Sequence, residues 1–115
     1  MKITNDQAYA SYEILLSLKE SGKLGFAIAK NTRKLESELK EFIEKRKELF
    51  LKYGSKNDDG SLAIETNRIK DFLNDFDAYA SMEFEFQPQL VDQETFCSGS
   101  LTSDQMYVLD WMVKE

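Results

Sequence analysis

The chain has 115 residues, 42% of them hydrophobic, with 15 Lys and Arg against 21 Asp and Glu, which gives a formal charge of −6. It has no histidine and one cysteine, which removes the commonest general base and metal ligand and excludes a disulfide framework or a thiolate metal site. No apolar run reaches the roughly 18 residues of a membrane span, and no secretion signal opens the chain. We therefore expect a single cytoplasmic domain over residues 1–115 with no membrane partner.

The first helix is predicted near the N-terminus. Thr4-Asn5-Asp6-Gln7 is a capping-box pattern, in which the Thr4 side chain accepts from an early backbone N–H and Gln7 reaches back. Apolar residues from Ala8 to Leu18 then form a wide buried face. Gly22 can take the left-handed conformation that ends helices. The pattern predicts a helix over residues 5–20.

A second, longer helix has the strongest periodicity in the chain. Its seam recurs at three- and four-residue spacing through Ile28, Thr32, Leu35, Leu39, Phe42, Arg46, Leu49 and Tyr53. This spacing predicts a helix over residues 24–53. The polar residues Thr32 and Arg46 interrupt the seam, which favours a hairpin packed against the first helix over a free-standing coiled coil.

The second half of the chain combines a third helix with a small β element. Asn57-Asp58-Asp59-Gly60 is a strong turn signal, and residues 61–64 are predicted to be a short extended piece. Helical spacing predicts a third helix over residues 66–80. Met82–Phe86 then alternates apolar and acidic residues, as a half-buried strand does, within a β element near residues 82–91.

The C-terminal region is predicted to end in a short helix. A second capping box, Thr102-Ser103-Asp104-Gln105, begins that helix. Residues 89–100 are compatible with either a second strand around Leu90 and Val91 or a short turn of helix. The predicted fold class is mainly α (α+β): a long antiparallel helical hairpin, a third helix, a small β element and a short C-terminal helix.

The residues favour a protein that is not an enzyme and holds no metal or cofactor. The loop at Asn57–Gly60 matches an EF-hand only in part, because Ser55 and Thr66 occupy the first and twelfth positions. Cys97 has no histidine and no neighbouring cation to hold it as a thiolate, so we expect an inert, partly buried cysteine beside Phe96. The glycines are scattered and form no phosphate-binding loop.

The charge is distributed unevenly along the chain. Residues 1–22 carry a net −1, and residues 23–56, the basic segment, carry a net +5. Residues 57–115, the acidic half, have three basic and thirteen acidic side chains and a net charge of −10. This contrast is the clearest functional signal in the sequence, and it points to binding.

Three interpretations of the contrast remain open. The two regions could neutralise each other within the fold or across a homodimer. Alternatively, the acidic half docks on a basic cleft of another protein, since charge complementarity speeds such an encounter. Direct nucleic-acid binding by the basic helix is the least favoured, because five glutamates interleave with its cations. For docking, the candidate residues are Asp71, Asp75, Asp77, Glu83 and Glu85, with Phe84 and Trp111 as apolar anchors.

Several stretches resemble small helical proteins of unknown function encoded by phages and prophages of Gram-positive bacteria. The similar residues are Leu16-Ser17-Leu18-Lys19 leading to Gly22-Lys23, then Lys47-Glu48-Leu49, Tyr53-Gly54 and Asp58-Asp59-Gly60. The aromatic residues of the acidic half depart from the pattern. The resemblance implies a phage accessory protein that binds a host or phage protein, and it supplies no catalytic residue.

Two functional hypotheses follow from the resemblance and the charge together. The first is an inhibitor of a bacterial defence system, such as a CRISPR nuclease, that acts through its acidic surface. The second is a structural or assembly protein that self-associates through its basic helix and its acidic half.

Overall fold

The computed structural model describes all 115 residues. In chain order the elements are β1 (Lys2–Thr4), α1 (Asn5–Ser17), α2 (Gly22–Tyr53), β2 (Gly54–Lys56), β3 (Leu62–Ile64), α3 (Ile69–Ala80), β4 (Glu83–Glu85), α4 (Gln93–Cys97) and α5 (Ser103–Val108). Short 3₁₀ turns precede α3 at Thr66–Arg68 and follow α5 at Asp110–Met112. The fold is mainly α with two small two-stranded sheets, so the predicted fold class is confirmed. None of the helices has the length and hydropathy of a bilayer span.

The helices α1 and α2 form the predicted hairpin. The first capping box is present, because Thr4 Oγ1 accepts from the Gln7 N–H at 3.1 Å and Gln7 Oε1 accepts from the Thr4 N–H at 3.2 Å. The helix α1 ends at Ser17, earlier than predicted. The backbone becomes extended at Leu18, and Glu20 then accepts two hydrogen bonds from Ser100, each of 2.8 Å. Gly22 takes the left-handed conformation, at φ +66°, and is the first residue of α2.

The polar residues of the α2 seam are accommodated inside the hairpin. The Thr32 hydroxyl donates to the Ile28 carbonyl at 2.6 Å, which satisfies it within its own helix. The Arg46 guanidinium lies 4.7 Å from the ring centroid of Tyr9 on α1 and 4.9 Å from that of Phe50. These cation–π contacts let a charged residue occupy the seam without breaking the packing.

The strand β4 confirms the alternating pattern and pairs with a strand that the sequence did not predict. It runs antiparallel to β1, with Ile3 opposite Phe84 and Lys2 opposite Glu85. Ile3 is buried in the main core, whereas Lys2 and Glu85 are exposed. The pairing closes the N-terminus onto the chain that follows α3.

A second hairpin caps the far end of α2. The strands β2 and β3 pair across the predicted turn, where the Asn57 N–H donates to the Ser61 carbonyl at 2.8 Å. Leu49, Tyr53 and Phe72 form a small core beside this hairpin, separate from the main one. The turn therefore connects two elements, as predicted, although the strand β2 before it was not predicted.

Both alternatives for residues 89–100 occur in part. Val91 forms an isolated parallel bridge with Val113, and Asp92 caps the short helix α4. The predicted partial burial of Cys97 is wrong, because this side chain is exposed. The helix α4 buries Phe96, and the next residue, rotated by about 100°, faces solvent.

One buried polar side chain joins the acidic half to α2. Asn31 is 0% exposed, its amide donates to the Gln89 carbonyl at 3.0 Å, and its amide oxygen accepts from the Gln89 N–H at 2.7 Å. The Lys34 ammonium donates to the Gln87 carbonyl at 3.0 Å. A segment without helix or strand partners therefore has its backbone groups satisfied by side chains of α2.

The substitution Asn31→Ala removes both partners of Gln89, so we expect the free energy of unfolding to fall by about 2–4 kcal/mol. Urea denaturation followed by circular dichroism measures this change. Asn74 is exposed on α3, and Asn74→Ala should change the free energy by less than about 0.5 kcal/mol. Equal losses from the two substitutions would contradict the role assigned to Asn31.

Candidate functional site

The acidic half keeps most of its charge unpaired. The ion pairs of the chain are the Met1 amino group with Glu85 at 3.4 Å, Lys45 with Glu48 at 3.0 Å and Lys52 with Asp75 at 3.7 Å. Only the last pair joins the basic segment to the acidic half. Of the thirteen acidic side chains in the acidic half, the eleven other than Asp75 and Glu85 form no ion pair. The cations of the basic segment therefore do not neutralise the carboxylates of the acidic half through ion pairs within the fold.

The five predicted carboxylates are divided between α3 and β4. Asp71 and Asp75 are one helical turn apart and share a flank of α3, whereas Asp77 lies about 200° around the helix from Asp75. Glu83 and Glu85 are exposed on the same side of β4. The predicted residues thus form a broad surface with several faces and no single cluster.

Asp75 is engaged within the fold. Its carboxylate accepts a hydrogen bond from the Tyr53 hydroxyl and lies 3.7 Å from the Lys52 ammonium. The Arg68 guanidinium lies 4.9 Å from the centroid of the Tyr53 ring. Asp75 therefore stabilises the small core at the end of α2, and the exposed members of the predicted set are Asp71, Asp77, Glu83 and Glu85.

The two predicted apolar anchors are half-buried and pack against the main core. Phe84 lies edge-on to Phe86, with ring centroids 6.3 Å apart. The Trp111 indole N–H donates to the hydroxyl of the buried Ser11 at 3.1 Å, and the ring meets Phe86 edge-on at 5.6 Å. Of the two, Trp111 also borders an open cleft.

This opening, the Trp111 cleft, has a volume of about 490 Å³ and lies between α1, β1, α5 and the 3₁₀ turn Asp110–Met112, called the C-terminal turn below. Its lining includes Asp6, Ser11, Tyr107, Asp110 and Trp111. Tyr107 is 82% exposed, an unusual position for an aromatic ring. Trp111 was predicted from the sequence as an anchor, whereas the other lining residues were not predicted. One signal in the sequence could have indicated the cleft, namely the position of Tyr107 on the polar side of an amphipathic helix. The carboxylates gave no such signal, because Asp6 and Asp110 lie at opposite ends of the chain.

No cluster of metal ligands accompanies this surface. No group of three or more Asp, Glu or Cys side chains is close enough to hold a metal ion. Every buried side-chain nitrogen and oxygen has a hydrogen-bond partner. The chemistry that the surface offers is therefore that of exposed carboxylates beside aromatic rings.

The hydrogen bond to Asp75 raises the pKa of Tyr53 above its usual value, and partial burial adds to the effect. Its contribution to stability is present below the unfolded-state pKa of about 10 and is lost as the pH rises through the folded-state pKa. We expect Tyr53→Phe to unfold at lower urea than the parent at pH 7, with the difference shrinking above about pH 10. Urea denaturation at several pH values measures this difference.

The exposed Tyr107 provides the control for this measurement, because its hydroxyl makes no hydrogen bond within the chain. Tyr107→Phe should behave like the parent across the same pH range. If the deficit of Tyr53→Phe stayed constant from neutral to alkaline pH, the hydrogen bond would not be the source of the stability.

Comparison with protein families, with curated proteins and with solved structures finds no match to this chain. Its function must therefore be inferred from its own residues, of which the unpaired carboxylates and the Trp111 cleft are the most informative.

Proposed function

We propose that the chain is a non-enzymatic binding protein whose acidic half docks on a basic surface of another protein. The observation that carries this proposal is the single ion pair, Lys52–Asp75, between a segment of net charge +5 and a half of net charge −10. Exposed carboxylates without internal partners create a negative field that steers a basic partner toward the chain.

The elements α3 and β4 offer apolar contacts beside these charges. Leu73 is 53% exposed and lies one helical turn from Asp77. Met82 is 56% exposed and immediately precedes Glu83. Interfaces combine apolar contacts with a charged rim. The exposed residues Leu73, Asp77, Met82 and Glu83, called the docking face below, supply both components.

The proposed partner is a nucleic-acid-binding enzyme, because such enzymes hold phosphates in a basic cleft. An acidic protein seated in that cleft would compete with nucleic acid for the same cations. Together with the resemblance to phage and prophage proteins, this favours an inhibitor of a bacterial defence system, with a CRISPR nuclease as the leading candidate.

The direct test is co-elution of the chain with a purified CRISPR nuclease, combined with a DNA cleavage assay in the presence and absence of the chain. We expect a complex and inhibited cleavage. Asp77→Lys/Glu83→Lys should weaken binding at least about tenfold, because it places two cations on the docking face. Glu36→Lys/Glu44→Lys makes the same charge change at exposed positions of α2 away from the docking face and should weaken binding by less than about threefold.

Two results would contradict this proposal. The absence of a complex together with unchanged cleavage would exclude the nuclease as partner. Equal weakening by the two double variants would exclude the acidic half as the docking face, since only the total charge would then matter.

Self-association is the second candidate, and the same unpaired charges favour it. Lys52–Asp75 is the one ion pair between the basic segment and the acidic half, so two copies could pair the remaining charges of these regions reciprocally. Light scattering at low and high salt separates the candidates. A dimer that dissociates at high salt would support self-association, whereas a monomer at both salt concentrations would contradict it.

A further inference from the structure

We propose that the Trp111 cleft binds an arginine side chain on an extended segment of the basic partner. This inference rests on the proposed function and adds to it the cation that the cleft accepts. The cleft is formed by α1, β1, α5 and the C-terminal turn, and no residue of the docking face lines it.

Two aromatic rings, those of Tyr107 and Trp111, line the cleft. Trp111 is held in place because its indole N–H donates to Ser11 and its ring packs edge-on against Phe86. Tyr107 is 82% exposed, and its hydroxyl makes no hydrogen bond within the chain. One fixed ring and one open ring provide faces on which a cation can stack, and aromatic residues of this kind dominate binding energies at interfaces.

Two carboxylates, those of Asp6 and Asp110, also line the cleft. Asp6, in the first turn of α1, and Asp110, in the 3₁₀ turn after α5, are both exposed and form no ion pair. The lining also includes Met1, whose amino group pairs with Glu85 at 3.4 Å, and Lys2, whose ammonium forms no ion pair. The two unpaired carboxylates outnumber this one unpaired ammonium, so the lining keeps a net negative charge for a cation that enters the cleft.

These features select a guanidinium group over an ammonium group. The planar guanidinium stacks on aromatic faces and donates parallel hydrogen bonds to a carboxylate, whereas a lysine ammonium is a compact and strongly hydrated charge. A volume of about 490 Å³ also exceeds what one guanidinium fills, so the neighbouring residues of the arginine segment fit at the opening.

Tryptophan fluorescence reports on the cleft alone, because Trp111 is the only tryptophan in the chain. The experiment titrates the full chain with a blocked hexa-arginine peptide and follows Trp111 fluorescence. We expect a saturable change in emission. A hexalysine peptide should bind at least about fivefold more weakly, and a hexaglutamate peptide should leave the emission unchanged.

Matched variants separate the cleft from the general negative charge. Asp6→Asn/Asp110→Asn removes two charges from the cleft and should weaken hexa-arginine binding at least about tenfold. Asp58→Asn/Glu94→Gln removes two exposed charges that lie outside both the cleft and the docking face, and it should weaken binding by less than about threefold. Circular dichroism verifies that each variant is folded.

The outcomes of these experiments separate the arginine site at the cleft from docking through α3 and β4. No saturable emission change with hexa-arginine, or equal weakening by the two double variants, would overturn the arginine site while leaving docking through α3 and β4 to its own test. Conversely, hexa-arginine binding at the cleft without a nuclease complex would support the site and remove the proposed partner.

Discussion

The contact between Asn31 and Gln89 is the constraint on which the placement of the acidic half depends. Asn31 is buried in the N-terminal third of the longest helix, and its amide satisfies both backbone groups of a residue 58 positions away. Hydrogen bonds continue from this point, because the Val91 N–H donates to the Met112 carbonyl at 2.8 Å and the Lys114 N–H donates to the Val91 carbonyl at 2.7 Å. The C-terminal turn that carries Trp111 is therefore connected to α2 through residues 89–91.

The contact between Asn31 and Gln89 is electrically neutral, and its neutrality links the fold to the proposed function. A fold closed by ion pairs would have used the cations of the basic segment to cancel the carboxylates of the acidic half. Here amide hydrogen bonds and the apolar core make the connection, and the one ion pair between the two regions is exposed and contributes little. The charges of the acidic half consequently remain available to a partner.

The sequence predicts those parts of the fold that depend on neighbouring residues. Helical spacing and the capping boxes at Thr4 and Thr102 act over a few positions, so the helices are found with small errors at their ends. The strand β1 escapes prediction because its three residues acquire a regular structure only by pairing with β4. The early end of α1 has the same origin, since Glu20 bonds a residue 80 positions away. The Trp111 cleft was unpredictable for this reason too, because Asp6 and Asp110 meet only in the folded chain.

The salt dependence of stability tests most directly whether the two regions are joined without charge pairing. The measurement is the free energy of unfolding by urea at about 0.02 M and about 0.5 M NaCl. Because screening would weaken repulsion among the carboxylates and remove few attractions, the free energy should stay within about 0.5 kcal/mol or rise at high salt. A fall of more than about 1.5 kcal/mol at high salt would show that ion pairs join the regions, and it would contradict the availability of the acidic half for a partner.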